Sequence, residues 1–373
     1  MISDAELAQR YSRHLTLPQI GSDGQRRLLQ ARVLCVGAGG LGCPALMYLT
    51  AAGIGTITVV DGDRVELSNL QRQILFSEAD IGRAKAEAAV DRLRAMNSTT
   101  RLRAVPSYLD GDNAGLVAEH DIVLDCTDSL DARFLINDRC IAAQRPWVYA
   151  SVQQFHGQLA VFADIEQGCF RCLFPRPPEN AIPNCAEAGV VGALPGTLGT
   201  LQALQAIKCL LAPESIEPRL SLFDGLSLDL RHFSLRKDPD CPSCVHRQTY
   251  QPASAAGGGG DGEADRPLPT LSTQQLRDWL NAGQPVHLVD VRSAQEHAGF
   301  NLGGEHLSLE QLRADPHELE RRIDDKSCPV VFYCQRGQRS RLAVDRVRDL
   351  GYDCYSLESG VEGWLASEQI EGD

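Results

Sequence analysis

The sequence predicts an α/β protein in two parts, a doubly wound, mostly parallel sheet followed by a small α/β domain on a flexible linker. Three observations predict this. Strand-like apolar runs alternate with helical patterns through the first half of the chain, the order that builds parallel sheets. A glycine-rich turn joins the first such strand to its helix. Residues 249–269 contain QPASAAGGGGDGEADRPLP, a low-complexity stretch without apolar periodicity. It separates residues 1–248 from 270–373, and as a coil it reaches about 25 Å.

Residues 4–30 read as helix, turn and helix, and Arg13 among them as an ordinary solvated arginine. Residues 33–36 are an apolar strand running into Gly37, Gly39 and Gly42, spaced G-x-G-x-x-G. A helix follows to about residue 52, then a strand, 56–60, that ends on Asp61. Glycines let the backbone turn tightly and bring its amides against an anion, and a carboxylate about 20 residues on suits a ribose. This is a nucleotide site. The glycines alone fit a dinucleotide oxidoreductase as well as an ATP enzyme. What tips the balance is Ser68-Asn69-Leu70-Gln71-Arg72-Gln73, Lys85 near the start of a helix over 84–96, and Asp128 just past a strand at 122–125. Two cations and a strand-end carboxylate suit ATP and Mg2+ better than a pyrophosphate. Strands at 102–105 and 147–152 and a helix at 132–143 continue the alternation. That order gathers Gly37, Asp61 and Asp128 beyond the strand C-termini.

From residue 157 the pattern turns to short alternating strands, followed by Cys169-Phe170-Arg171-Cys172. An irregular Pro-rich segment at 175–195 holds Cys185; a helix at 198–211, a strand at 220–224 and Cys241-Pro242-Ser243-Cys244 close the domain. Long irregular segments of this kind are usually functional or mobile. The two Cys-x-x-Cys pairs have the spacing of a tetrahedral Zn2+ site with four thiolates; the alternative is a pair of redox dithiols. Cys185 by itself reads as structural or incidental. In the second domain a strand at 330–333 leads into Cys334 of CQRGQRSR, and a helix runs on to about residue 350. Loop amides and a helix N-terminus favour the thiolate of Cys334, with Arg336 and Arg339 adding positive charge. The same cradle can hold a persulfide. A phosphatase cradle needs Cys-x5-Arg, and residue 340 is Ser. Cys35, Cys43, Cys126, Cys140 and Cys209 read as small core residues, while Cys328 and Cys354 carry no signal.

Composition sets limits on function. A hydrophobic content of 43% supports sizeable cores. The net charge of −13 speaks against a nucleic-acid surface and against anionic membranes. No apolar run approaches the roughly 20 residues of a membrane span, and the opening MISDAELAQRYSRHL is not a signal peptide. Thirteen cysteines, an odd number without an export signal, disfavour a disulfide framework. A cytoplasmic protein is expected.

VGAGGLG, DGDRVELSNLQRQ, GRAKAE, LDCTD, CFRC, NCAEAGV and CPSC occur in that order, and over residues 1–248 they resemble the MoeB/ThiF family of ubiquitin-activating-enzyme-like adenylyltransferases. Residues from 270 onward resemble a single rhodanese domain, through Leu288-Val289-Asp290-Val291-Arg292, Glu296-His297, the CQRGQRS loop and residues 360–364. The fusion resembles adenylyltransferase/sulfurtransferases of molybdopterin synthase. The resemblance implies a Rossmann-like sheet and a homodimer. It implies ATP contacts at Gly40 within the glycine turn, along Ser68, Asn69, Leu70 and Gln71, and at Asp61 (ribose), Arg72 and Lys85 (phosphates) and Asp128 (Mg2+). Arg13 would reach the nucleotide of the partner subunit. Cys169, Cys172, Cys241 and Cys244 would hold Zn2+, Cys185 would act covalently on the carrier, and Cys334 would carry the persulfide. Two departures stand out. Ser129 replaces the family's usual Asn, which bears on a nucleotide contact, and Gly-Phe-Asn-Leu-Gly-Gly at 299–304 replaces Gly-His-Ile-Pro-Gly-Ala in a structural segment.

The expected reaction is therefore adenylation of a small ubiquitin-like (β-grasp) sulfur-carrier protein ending Gly-Gly, then sulfur transfer from Cys334 to give a thiocarboxylate. The sulfur comes from a donor of the cysteine-desulfurase type or another class. Two rivals remain: an activator that hands its carrier to a conjugation partner, and a scaffold with one inactive domain. Against the first, a rhodanese-like domain stands where a docking domain for a conjugating enzyme belongs. Molybdopterin, thiamine, tRNA thiolation and specialised metabolites all use such a module.

Overall fold

The computed structural model describes residues 4–176, 189–250 and 268–370. Cys185 and nearly all of the expected linker lie outside them. The chain divides into two compact units, Met1–Gly258 and Gly259–Asp373.

In the first unit the strands are β1 (Arg32–Val36), β2 (Thr56–Val60), β3 (Arg101–Val105), β4 (Ile122–Asp125), β5 (Trp147–Gln153), β6 (His156–Phe162), β7 (Arg219–Asp224) and β8 (Leu230–Ser234). They form one sheet in the order β3-β2-β1-β4-β5-β6-β7-β8. Pairing is parallel from β3 across to β5 and antiparallel from β5 to β8. Strand order reverses between β1 and β4. The registers Val36↔Val60 and Val36↔Asp125 bring the C-terminal ends of β2, β1 and β4 level at that reversal, the place where such sheets bind ligands.

The period of two in β1 explains why both faces are covered. Val33 and Cys35 enter a core with helices α1 (Gly21–Gln30), α2 (Gly42–Ala51), α3 (Lys85–Met96) and α5 (Ala193–Leu211). Leu34 and Val36 enter another with Phe134 and Ile136 of α4 (Leu130–Ala143) and with Trp147 and Phe170. Three sequence expectations need correction. Helix α5 begins at Ala193, not residue 198, inside the segment 175–195 expected to be irregular. Pro195 fits there because amides in a first helical turn have no intrahelical acceptor to lose. The short strands expected from residue 157 are one seven-residue strand, β6. Strand β8 was not expected, since all five of its residues are exposed and no burial alternation marks it.

The second unit is a five-stranded parallel sheet, β11-β10-β12-β13-β9, from β9 (Thr270–Leu271), β10 (His287–Asp290), β11 (Glu305–His306), β12 (Val330–Tyr333) and β13 (Cys354–Leu357). Central β12 is buried along its length, with Val330 and Phe332 in one core and Val331 and Tyr333 in the other. The segment 299–304 is held by Tyr333: Leu302 N donates to its Oη at 3.2 Å, and the hydroxyl donates to Gly303 O at 2.9 Å. Among the described residues no helix is long and apolar enough to cross a membrane.

Candidate functional site

At the end of β1 the chain turns through Gly37, whose φ is +96°. A Cβ there would lie 2.6 Å from Cys126 O, and one on Gly42 would lie 2.1 Å from Gly37 O, so both glycines are demanded by the protein's own packing. Gly39 differs. A Cβ on it would meet nothing nearer than Gln73 Nε2 at 3.8 Å. The space over Gly39 is left open by the chain, which suits a phosphate laid on backbone amides. A Cβ on Gly40 would lie 3.1 Å from Pro195 of α5 and 3.5 Å from Arg72 Cγ, so Arg72 lies across the turn. Its Nη1 donates to Ser68 O at 2.9 Å.

Asp61 follows β2, is buried, and accepts from Ala38 N at 2.7 Å and from Asp63 N at 2.8 Å. Burial pushes its carboxyl up, against the opposing pull of Lys85 and those two amides. Lys85 is also buried, and its Nζ donates to Asp63 Oδ2 at 2.8 Å. Tyr108 Oη donates to the other oxygen of Asp63, and this bond, with burial, pushes the phenol up to about 12. Asp63 and Tyr108 carried no sequence signal; only the fold sets Tyr108 against the ring-sized gap over Gly62. Asn69 Oδ1 and Gln73 Oε1 are buried without a hydrogen-bond partner among the described residues, a cost of about 1–3 kcal/mol each that a bound polar ligand relieves. Ser68 and Gln71 are exposed and Leu70 half-buried. Two cations, an open glycine cradle and orphaned polar atoms together fit a nucleotide.

At the end of β4, Asp125 is fully buried and faces Arg133, with Nε 3.3 Å from Oδ2 but off the hydrogen-bonding axis. Burial raises the Asp125 carboxyl and Arg133 lowers it. Asp128, the expected magnesium ligand, is exposed, and its charge helps raise the Tyr108 phenol. Ser129 caps α4, its Oγ accepting from Ala132 N at 3.3 Å, so its departure from the family pattern keeps a structural role. Arg13 is not brought to this turn. Its neighbour Tyr11 packs on Gly53 at the far end of α2, about 15 Å along the helix from the glycines.

The four knuckle cysteines do converge. Their sulfurs lie within 4.8 Å of one another, with Cys169–Cys241 and Cys172–Cys244 at 3.6 Å and Cys169–Cys172 at 3.8 Å. A tetrahedral ion with thiolates at about 2.3 Å needs sulfurs about 3.8 Å apart, so the donor set fits a four-coordinate metal. Burial pushes the Cys244 thiol up to about 12. Asn137 and Asp138 of α4, unsuspected from sequence, bind both knuckles: Asn137 Oδ1 accepts from Phe170 N at 3.1 Å, and Ser243 Oγ donates to Asp138 Oδ1 at 2.5 Å.

In the second unit Cys334 directly follows β12, and its Sγ accepts from Gly337 N at 3.1 Å at the N-terminus of α7 (Gln338–Val347). Helix α6 (Thr273–Asn281) lies earlier in the chain. Gly337 has φ +91°, and a Cβ on it would lie 2.0 Å from Glu358 O. The two arginines expected to add positive charge here each hold a glutamate. Arg336 Nε pairs with Glu362 at 2.7 Å, and Arg339 makes a two-pronged pair with Glu296 at 2.9 and 2.7 Å. Cys334 is only 2% exposed. The Gly337 N–H and the helix end supply polarity at the sulfur.

Comparison with known proteins agrees with this geometry. The ThiF family profile matches residues 11–243, and that of the rhodanese-like domain matches residues 272–367. MoeZ of Mycobacterium tuberculosis is 38% identical over 376 residues, spanning 99% of this chain and 95% of that protein. Adenylyltransferase and sulfurtransferase MOCS3 of Mus musculus is 40% identical over 394 residues, spanning 97% of this chain and 86% of its own. In fold, the first unit is similar to E. coli MccB crystallised with ATP, at a TM-score of 0.54 and 23% identity over 63% of this chain and 74% of that one. With relatives alike over nearly the whole length and both profiles in place, the chain belongs to the ThiF family, carries a rhodanese-like domain after it, and is an adenylyltransferase and sulfurtransferase.

Proposed function

We propose that the chain converts the C-terminal carboxylate of a small ubiquitin-like sulfur carrier ending Gly-Gly into a thiocarboxylate. A carboxylate oxygen of the carrier attacks the α-phosphorus of ATP, and pyrophosphate leaves. Asp61 has lone pairs left for the ribose, Arg72 and Lys85 take the phosphates, and Asn69 and Gln73 bond the nucleotide. Asp128 would hold Mg2+, which neutralises the leaving phosphates. Arg13 belongs to the partner subunit's nucleotide in a homodimer, in keeping with its distance from its own glycine turn. Zn2+ in the four-thiolate cluster is structural, since all four ligand positions are filled by protein.

The second half-reaction uses Cys334 as a persulfide charged by a separate donor. Its outer sulfur stands about 2 Å beyond Sγ, which carries the reactive atom out of the enclosed cradle. That sulfur attacks the acyl carbon, AMP leaves, and an acyl disulfide to Cys334 forms. Attack of a second thiolate on Cys334 Sγ frees the thiocarboxylate; Cys185 supplies it, and an external dithiol reduces the resulting disulfide. Residues 249–269 act as the tether between domains 1–248 and 270–373. The thiol chemistry suits a reducing, cytoplasmic setting.

The observation that carries this reading is the Gly337 amide on Cys334 Sγ at 3.1 Å, in a chain that also builds an open nucleotide turn. The test is mass spectrometry of a Gly-Gly-ending carrier after incubation with the protein, Mg-ATP and a persulfide donor. One oxygen replaced by sulfur is the expected product. An adenylated carrier that never gains sulfur, with Cys334 intact, would falsify it.

A further inference from the structure

We propose that the rhodanese-like unit holds a second metal site, formed by His287, Asp325 and Cys328, that takes a divalent ion of the zinc type. One ring nitrogen of His287, a carboxylate oxygen of Asp325 and the sulfur of Cys328 lie within 4.8 Å of one another. None of the three belongs to the cradle of Cys334. This assignment stands apart from the reaction proposed above.

The backbone holds the three together. His287 opens β10 opposite Val330, and its N donates to Pro329 O at 2.9 Å, so the imidazole is fixed beside the turn that leads into β12. In that turn Ser327 satisfies one side of Asp325: its N and Oγ donate to Oδ1 at 2.8 and 2.6 Å. The other oxygen, Oδ2, faces Cys328, whose thiol donates to it at 3.2 Å. Lys326, the nearest cation in sequence, is drawn off to Glu320 and Leu350 O, both at 2.7 Å. The imidazole has no hydrogen bond among the described residues, although its Nε2 is buried. Buried ring nitrogens without a partner are rare unless something else uses the lone pair.

The donor set selects the ion. One thiolate and one imidazole exclude Mg2+ and Ca2+, which take oxygen, and with a carboxylate they suit Zn2+ or its surrogate Co2+. The 3.2 Å between Cys328 Sγ and Asp325 Oδ2 is already close to a ligand–ligand edge in a tetrahedral site. The proton that Cys328 shares with Asp325 goes to solvent when the ion takes its place. Three protein ligands leave one position for water, unlike the closed cluster of the first unit. The ion does not touch the sulfur chemistry, because the four residues of β12 set it about 13 Å from Cys334. Its effect is to clip the start of β10 to the approach of β12, its neighbour in the sheet.

The test is Co2+ titration of the full-length protein, read by its visible absorption and by metal analysis. Wild type should take two ions per chain, the second with a tetrahedral spectrum from a single thiolate. His287→Gln and Cys328→Ser should each weaken that second ion by about a hundredfold or more while sparing the first. Asp325→Asn, on an exposed side chain, serves as a third variant should either of the others fold poorly. Persulfide transfer from Cys334 should stay within about twofold of wild type in all three, as expected of a site a strand's length away. One ion per chain in wild type, or a second ion indifferent to all three substitutions, would overturn the proposal.

Discussion

The two units present the same device and use it in opposite ways. Each runs a buried parallel strand into a left-handed glycine, Gly37 at φ +96° and Gly337 at φ +91°, and then into a helix N-terminus. In both, the glycine is forced by a carbonyl of a neighbouring segment, Cys126 O or Glu358 O. What fills the cradle differs. In the first unit the amides face open space over Gly39, and polar atoms on Asn69 and Gln73 are left without partners. In the second the chain supplies its own occupant, Cys334, and its flanking arginines are paired with Glu296 and Glu362. One turn is built to receive an anion from outside, the other to keep a sulfur anion of its own.

The sharpest way to break that contrast is to remove the resident sulfur. Cys334→Ser should lower sulfur transfer to the carrier by at least about a thousandfold and leave ATP–pyrophosphate exchange within about twofold, because only a thiolate can carry the transferable sulfur. Thiosulfate:cyanide transfer and pyrophosphate exchange measured on the same preparation decide it. A parallel fall in both activities would mean that the two cradles do not work separately.

A smaller effect separates the glycines of the first turn. Gly39→Ala meets no protein atom within 3.8 Å other than Gln73 Nε2, so thermal stability should hold while the KM for ATP rises about tenfold or more. Gly37→Ala forces φ +96° on alanine and sets a methyl 2.6 Å from Cys126 O, so it should unfold the unit at lower temperature, by at least about 1–3 kcal/mol. Calorimetry beside ATP kinetics distinguishes the two. Equal losses of stability would show that the space over Gly39 is structural.

These contrasts also show how far sequence reading goes. The glycine spacing, the strand C-termini and the doubled Cys-x-x-Cys were legible because each is a local pattern with one geometric solution. Strand β8 was not legible, since an exposed edge strand lacks the alternation that burial imposes. Asp63, Tyr108, Asn137 and Asp138 were not, because each acts through a partner distant in the chain: Tyr108 Oη meets Asp63 from 45 positions away, and Ser243 meets Asp138 from 105. The arginines after Cys334 were read as free charge because their partners, Glu296 and Glu362, lie 43 and 26 positions off. Single residues advertise themselves in sequence; pairs formed by tertiary contact do not.

The smallest expected effect tests those hidden pairs directly. Burial alone would raise the Glu296 carboxyl, but Arg339 and the Ser293 cap hold it down at about 2. A carboxylate depressed in the folded state contributes stability above its unfolded pKa of about 4.3 and loses it as pH falls toward the folded value. Denaturation of the protein between pH 5 and about 2 should therefore show the second unit weakening, with about 2 kcal/mol of that loss assignable to Glu296 after allowing for solvent screening. Glu296→Gln should remove that slope and cost the same amount at neutral pH, where Arg339 loses its ion pair with residue 296. Asp61, which burial pushes up, runs the other way: it erodes the first unit's stability as pH rises between its unfolded and folded values. The two carboxylates thus carry the contrast between the cradles, one held by a satisfied pair and one kept at a cost beside a site that waits for its ligand. A second unit whose stability is flat through this range would remove the satisfied pair from that account.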